Sequence, residues 1–190
     1  MNRFAHKCID IILKNEGGFQ DDPRDYGNYT GPNRTGELIG TNFGIAARYF
    51  HKIVKERYGI SIKDLTIPQA KELFLDYFWT PMDLEGILNH DLILHIFDHG
   101  VNANKRLAIR MIQKIVFVKA DGFMGPITEK AINNFRPYTK VIQGYGLLSS
   151  ILDHYKYARH CHYAEQVRKY PMKGVFYKGW LIRIEKTHFD

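Results

Sequence analysis

Cysteine is scarce in this chain, which has only Cys8 and Cys161 among its 190 residues. The two are far apart and show no C-x-x-C spacing, so a zinc knuckle or a dithiol redox motif is excluded. A disulfide framework is not predicted either, because such frameworks belong to small secreted domains that are rich in cysteine. We therefore expect synthesis in a reducing compartment.

Long apolar runs are also missing, since Asp, Lys or His interrupts each hydrophobic stretch. A membrane-spanning helix needs about 20 apolar residues, so we expect no stable membrane insertion. The first apolar segment, Cys8–Leu13, contains Asp10, runs into Lys14 and lacks a small-residue cleavage site. These features do not match a secretory signal peptide, and the chain is predicted to be made in the cytoplasm.

The composition is that of a globular protein, with 45% hydrophobic and 14% aromatic residues. A chain of this length can bury one substantial core, or two small cores that share an interface. The formal net charge is +7, which favours polyanionic partners through long-range attraction. Charge alone does not distinguish nucleic acid from anionic cell wall or a lipid surface.

Apolar residues recur at helical spacing along most of the chain. Residues 2–16 form the first predicted helix, which Gly17-Gly18 ends, and the second is predicted at 43–58. Thr66 and Gln69 form a capping box that starts the third. The third and later helices are predicted at 66–79, 89–101, 104–117, 126–135, about 139–170 and 176–187. The predicted fold class is therefore all-α, with a lysozyme-like helical fold.

The sequence shows no internal repeat and no low-complexity tract, so the one candidate boundary lies near residues 80–90. We accordingly divide the chain into residues 1–88, a lysozyme-like catalytic part, and residues 89–190, a second helical part. The two parts are expected to pack as one unit.

Residues 17–42 form a long glycine-rich loop between the first two helices. Its glycines and prolines stand among polar residues, with too little apolar periodicity for regular helix. Loops of this length inside a compact domain are uncommon and are usually functional. This loop is therefore the first place to look for an active site.

Glu16 lies at the end of the first predicted helix, where the negative end of the helix dipole disfavours a carboxylate. In one interpretation it is a solvated side chain beside a Gly-Gly helix end. In the other, partial burial beside Ile12 and Leu13 favours its protonated form, which is what a glycosidic general acid requires.

Glycoside hydrolysis usually needs a second carboxylate. Three are close by in the loop, namely Asp21, Asp22 and Asp25. Asp25 precedes Tyr26-Gly27, where a turn can direct its side chain back toward Glu16, whereas we interpret Asp21 and Asp22 as turn residues.

Three motifs in this region carry a family resemblance: Glu16-Gly-Gly-Phe19, Pro23-Arg-Asp25-Tyr-Gly27 and Thr41-Asn-Phe-Gly-Ile45. They resemble the E-G-G-Y, P-x-D-x-G-G and T-N-x-G-I signature of glycoside hydrolase family 108. That family comprises bacterial and phage N-acetylmuramidases, some of them earlier labelled secretion activators. The resemblance implies that Glu16 is the acid, that Asp25 is the second carboxylate and that Thr41 orients water.

The resemblance extends over nearly the whole chain. Tyr77–Pro81 and Phe97–Asn102 are similar to the middle of the family pattern, and Asp121–Thr128 resembles its predicted peptidoglycan-binding part. One departure is the insertion of Asn28–Gly40 between the second and third motifs. Because of it, Thr30 is an alternative to Thr41, and Glu37 offers a further carboxylate.

Flat aromatic rings match the apolar face of a pyranose, so exposed rings near the loop are candidates for stacking on sugars. We predict that substrate is bound by Tyr26, Tyr29, Thr30, Asn42 and Trp79. For the tryptophans, Trp79 and Trp180, core packing is the default expectation.

No metal or other cofactor is predicted. His95 and His99 are four residues apart, but Ile96 stands where an H-E-x-x-H motif requires Glu, so packed or hydrogen-bonded histidines are expected. Tyr155–His160 mixes basic and aromatic residues as nucleic-acid surfaces do. We interpret this segment as the solvated side of a long helix, because no recognised nucleic-acid motif accompanies it.

The function predicted from these residues is a lysozyme-like peptidoglycan hydrolase that cleaves the β-1,4 bond between N-acetylmuramic acid and N-acetylglucosamine. An endolysin of this kind acts on peptidoglycan glycan strands in the periplasm or cell wall, and it would need a holin or an export system to reach them. The alternative is a non-catalytic wall-binding or secretion-accessory module. A basic nucleic-acid binder is the third hypothesis.

Overall fold

The structure is a computed structural model that describes residues 3–136, 140–142 and 146–189. Within these ranges it confirms the predicted all-α, lysozyme-like class. The helices are Arg3–Asn15 (α1), Ala47–Tyr58 (α2), Ile67–Phe74 (α3), His90–Asn102 (α4), Lys105–Ile115 (α5), Pro126–Asn133 (α6), Ile151–Lys169 (α7) and Gly174–Lys186 (α8). The strands are Thr41–Asn42 (β1), Ile45–Ala46 (β2), Lys140–Ile142 (β3) and Gly146–Leu148 (β4).

The chain divides into two compact units, Met1–Tyr77 and Phe78–Asp190. This boundary precedes the division after residue 88 that we expected from the sequence. The segment between the two positions packs within the second unit, where the ring of Trp79 meets Phe97 edge to face at a centroid distance of 5.1 Å. Met82, Leu84 and Ile87 are buried there as well.

The first unit is built on α1, which buries one apolar face and exposes the other. Ala5, Cys8, Ile9 and Ile12 are fully buried, at the spacing expected of an amphipathic helix. Burial also raises the pKa of the Cys8 thiol to about 12, which keeps it protonated. The helix packs on α3.

A small antiparallel hairpin replaces the start of the second predicted helix. Thr41 pairs with Ala46 and Asn42 with Ile45, so the connecting turn consists of Phe43 and Gly44 alone. Both turn residues have positive φ, 51° and 76°, as a type I′ turn requires. A right-handed helix cannot include such residues, and α2 therefore begins only at Ala47.

The capping box predicted at Thr66 and Gln69 is confirmed at the start of α3. The third predicted helix is not continuous, however. The α-helical hydrogen bonding stops at Phe74, and the chain continues as a π-helical turn over Leu75–Trp79.

The second unit surrounds α4, whose residues from Leu92 to Gly100 are all buried. Helices α5 and α7 pack against α4, and α8 packs against α7. The helix predicted at about 139–170 starts later, at Ile151, where Ser150 and Asp153 form a capping box. Residues 140–142 and 146–148 of that prediction are strands, while residues 139 and 143–145 lie outside the described part of the chain. Among the described helices none has the length and apolarity to cross a bilayer.

Candidate active site

Glu16 follows α1 directly and is half-buried. Its backbone N–H donates to the carbonyl oxygens of Ile12 and Leu13, at 3.1 and 3.3 Å, so the residue closes the last turn of the helix. The carboxyl group approaches the hairpin turn so closely that a Cβ atom on Gly44 would lie 3.0 Å from Glu16 Oε2 and 3.1 Å from Cδ. The absence of a side chain at Gly44 thus leaves the space that this carboxyl group occupies.

Replacing Gly44 with alanine should therefore affect activity more than folding. The new Cβ would push the carboxyl of Glu16, the predicted acid, by a few tenths of an ångström. Misplacement of a catalytic group by about 1 Å can cost on the order of 100-fold in rate, so this smaller shift should cost several-fold. Gly59→Ala is the matched control, because Gly59 also has positive φ, 71°, but no neighbouring atom within 4 Å. Both changes should lower stability by about 1 kcal/mol. Only Gly44→Ala should lower kcat/KM; equal activity of the two variants would contradict the contact.

Asp25 is exposed and begins the short 3-10 helix Tyr26–Asn28. Its two carboxylate oxygens have different partners. Oδ1 accepts from the backbone N–H of Gly27 at 2.8 Å, and Oδ2 accepts from Gln20 Nε2 at 3.0 Å. The carboxylate is thereby held in one orientation by its own turn and by Gln20.

Thr41 lies in β1, and its hydroxyl donates to Asn28 Oδ1 at 2.7 Å. Its backbone pairs with that of Gln20 through two hydrogen bonds of 2.9 and 2.8 Å. Gln20 and Asn28 therefore connect Thr41 to Asp25. The same hairpin contacts Glu16 through Gly44, so the three predicted catalytic residues belong to one locally connected structure.

Thr30, the alternative to Thr41, forms hydrogen bonds with Glu37 inside the insertion. Its hydroxyl accepts from the backbone N–H of Glu37 at 3.0 Å, and its own backbone N–H donates to the Glu37 carbonyl at 3.0 Å. Tyr29 pairs with Leu38 in an isolated bridge just outside these bonds. The Thr30 hydroxyl is thus bonded within the insertion, whereas that of Thr41 is bonded to Asn28, which connects it to Gln20 and Asp25.

Tyr26 and Tyr29 flank the Asp25 turn. Tyr26 is 56% exposed, and the guanidinium of Arg34 lies over its ring, 4.4 Å from the centroid. Tyr29 is half-buried, and its hydroxyl donates to the Pro23 carbonyl at 3.2 Å. Of the two rings, Tyr26 presents the larger surface to solvent.

Asp22 acts as a turn residue, as we interpreted it from the sequence. Its carboxylate accepts from the backbone N–H of Arg24 at 2.8 Å and forms an exposed ion pair with the Arg24 guanidinium. Hydrogen bonds from the Arg24 side chain and backbone lower the pKa of Asp22 to about 2.

A family model described as glycosyl hydrolase 108 matches residues 9–103, a range that includes Glu16, Asp25 and Thr41. The chain belongs to this glycoside hydrolase family. It is also similar in fold to the structure of Brucella abortus SagA, with 20% sequence identity and a TM-score of 0.67. That similarity covers 96% of this chain and 90% of the SagA chain. A comparison with curated protein sequences finds no match.

Two residues predicted to bind substrate are buried in this glycosyl hydrolase 108 chain. Asn42 is 4% exposed, and its Nδ2 donates to the carbonyls of Ile62 and Lys63, which holds the hairpin against the segment before α3. Trp79 is 2% exposed and packs in the second unit. Both side chains are too buried to contact a sugar, so the prediction that they bind substrate does not agree with their packing.

Gln20 and Asn28 were not predicted as site residues from the sequence, although both are central to the hydrogen bonding of the glycine-rich loop. Asn28 is fully buried, and Gln20 bonds to Asp25. Two amide side chains on either side of Asp25 were the available signal. Amides can donate and accept at once, so they are suited to connect a carboxylate with a hydroxyl.

The basic and aromatic segment Tyr155–His160 is not a solvated face throughout, and our interpretation is wrong for two of its residues. Tyr155 and Arg159 are fully buried. Arg159 forms an ion pair with Asp98 at 2.6 Å, and Arg183 bonds to the other oxygen of the same carboxylate at 2.7 Å. A buried guanidinium requires such a partner, because an unpaired buried charge is very costly.

His95 and His99 are packed in this core, and across the described residues no group of three or more His, Cys, Asp or Glu could hold a metal ion. His95 Nδ1 lies 3.1 Å from the Arg159 guanidinium, and His99 Nδ1 lies 3.1 Å from the Tyr155 hydroxyl. Burial, together with the positive charge of Arg159, lowers the pKa of each histidine to about 2. Both are therefore neutral at physiological pH.

These pKa values predict that the fold loses stability on acidification. The unfolded histidines bind protons below about pH 6.5, whereas the folded ones stay neutral down to about pH 2. Protonation thus favours the unfolded chain increasingly as the pH falls below 6.5. We expect Tm to decrease between pH 7 and pH 4, and His99→Phe to weaken this dependence. A Tm that rises on acidification would contradict the burial of neutral histidines.

Proposed function

We propose that this glycoside hydrolase is a lysozyme-like N-acetylmuramidase. It cleaves the β-1,4 bond between N-acetylmuramic acid and N-acetylglucosamine in peptidoglycan. Glu16 donates a proton to the departing glycosidic oxygen, and Asp25 acts on the opposite side of the sugar, with Thr41 orienting the attacking water. Two carboxyl groups in these roles are the usual requirement of glycoside hydrolysis.

The observation that carries this proposal is the connection of all three side chains through one hairpin. Glu16 lies against the turn at Gly44, and Thr41 begins the same hairpin. Thr41 is joined to Asp25 through Asn28 and Gln20. Glu16, beside the turn of the hairpin, and Asp25, linked to strand β1, would supply the two carboxyl groups that the reaction needs.

The substrate contacts that we propose are the exposed ring of Tyr26, the neighbouring Tyr29 and Thr30. We further propose that residues 89–190 bind the wall polymer, and that the net charge of +7 assists adsorption to anionic peptidoglycan. Peptidoglycan strands are thus the proposed partner, and the periplasm or cell wall is the proposed place of action.

The decisive test is mass spectrometry of peptidoglycan that has been digested by the purified protein. Muramidase activity produces fragments with a reducing N-acetylmuramic acid end, which borohydride then reduces. Fragments that end in reducing N-acetylglucosamine would identify the other glycosidic bond as the target. Fragments lighter by one water would indicate cleavage without hydrolysis, and binding to insoluble peptidoglycan without any fragments would favour a non-catalytic wall-binding module.

A further inference from the structure

The side chain of Gln20 is hydrogen-bonded to Asp25 directly and is linked to Thr41 through Asn28. Its Nε2 donates to Asp25 Oδ2 at 3.0 Å and to Asn28 Oδ1 at 3.1 Å. Its Oε1 accepts from Asn28 Nδ2 at 2.8 Å and from the Asp22 backbone N–H at 3.0 Å. The amide therefore uses both its donor and its acceptor capacity inside the loop.

The orientation of both amides is determined by the backbone of Asp22. The Asp22 N–H can only donate, so Gln20 must present its oxygen there and its nitrogen to Asp25. The Asp22 carbonyl can only accept, and Asn28 Nδ2 donates to it at 3.0 Å. The oxygen of Asn28 must consequently face Thr41 and Gln20.

This arrangement has a chemical consequence for Thr41. Because Asn28 Oδ1 is an acceptor, the Thr41 hydroxyl must direct its proton toward Asn28. The lone pairs of Thr41 Oγ1 are then left to accept a hydrogen bond from a water molecule. A water that donates one proton to Thr41 and the other to Asp25 would have its own lone pair free for attack on the sugar.

We propose that Gln20 is a positioning residue of the hydrolytic step, which orients Asp25 directly and the Thr41 hydroxyl through Asn28. This inference rests on the proposed function and deepens it, since it assigns how the attacking water is held. Gln20 itself does not touch the reacting atoms. An amide suits this position because it donates to a carboxylate and accepts from a backbone N–H without itself titrating.

The experiment compares the pH dependence of peptidoglycan hydrolysis for wild type, Gln20→Glu and Gln20→Met. In Gln20→Glu, two carboxyl groups would stand within hydrogen-bond distance and would tend to share one proton. We expect the acidic limb of its kcat profile to move to higher pH by about one unit. Gln20→Met removes the hydrogen bonds without adding charge. It should lower kcat about tenfold and move the acidic limb upward by less than Gln20→Glu does, because the Asp25 carboxylate loses one donor.

The matched control is Gln69→Glu, since a glutamate in the capping box of α3 can replace glutamine there. Its pH profile should coincide with that of wild type. If Gln20 were only structural, Gln20→Met would lower Tm and leave both kcat and the acidic limb at their wild-type values in the folded protein. That result would overturn the inference while the muramidase proposal stood. A wild type without any hydrolytic activity would overturn both.

Discussion

Glu16→Gln should reduce the rate of peptidoglycan hydrolysis by at least about 100-fold, the lower range of what a positioned general acid contributes. Glutamine has nearly the shape of glutamate but cannot supply the proton that the departing sugar oxygen requires. The contact with Gly44 is sterically preserved, so the fold should be too. The rate is measured as release of reducing ends from purified peptidoglycan, and Tm is recorded for each protein.

Glu56→Gln provides the comparison for this variant. Glu56 is exposed on α2, so the same chemical change is made in the same unit without altering the proposed site. Its activity and Tm should equal those of wild type. Full activity of Glu16→Gln would remove Glu16 from the mechanism. Retained binding of this variant to insoluble peptidoglycan would show that the loss concerns the chemical step.

Asp98→Ala should destabilise the second unit by about 3–5 kcal/mol, the usual effect of removing one partner from a buried ion pair. The Asp98 carboxylate is fully buried between two guanidinium groups, and Arg159 is itself 0% exposed. Without the carboxylate, Arg159 would retain a positive charge with little access to water. The measurement is urea denaturation, in which the midpoint should fall sharply.

Glu165→Ala is the control for burial, because it breaks an ion pair of the same length on the surface of the same unit. Glu165 and Arg168 are 2.6 Å apart, with side chains that are 54% and 75% exposed. Exposed pairs contribute about 0–1 kcal/mol, so this variant should remain close to wild type. Equal losses from Asp98→Ala and Glu165→Ala would contradict the assignment of a buried charge cluster.

The helices could be predicted from the sequence because apolar residues mark their buried faces, as in α1 with Ala5, Ile9 and Ile12. The β1–β2 hairpin could not, since its strands are too short to show alternation. Its turn also requires Phe43 to adopt the left-handed backbone conformation, which a bulky residue rarely does. The pairing of Arg159 with Asp98 could not be predicted either, because 61 residues separate the two in the chain.

The candidate site was predicted in part. Glu16 could be predicted as a site residue because a carboxylate at the C-terminal end of a helix is unfavourable. Its contact with Gly44 could not be predicted. The structural contacts of Asn42 and Trp79 were hidden, since a polar or aromatic residue near a site motif can equally well be packed. The roles of Gln20 and Asn28 emerge only from their distances to Asp25 and Thr41.

The two ends of the insertion between the family motifs, Asn28 and Gly40, lie next to each other. Ile39 and Gly40 both donate from their backbone N–H groups to the Asn28 carbonyl, at 2.9 and 3.0 Å. Between these points the chain makes its own hydrogen bonds, from Thr30 to Glu37. A longer or shorter insertion would therefore alter the rim of the proposed site and leave the hydrogen bonds among Gln20, Asp25, Asn28 and Thr41 in place.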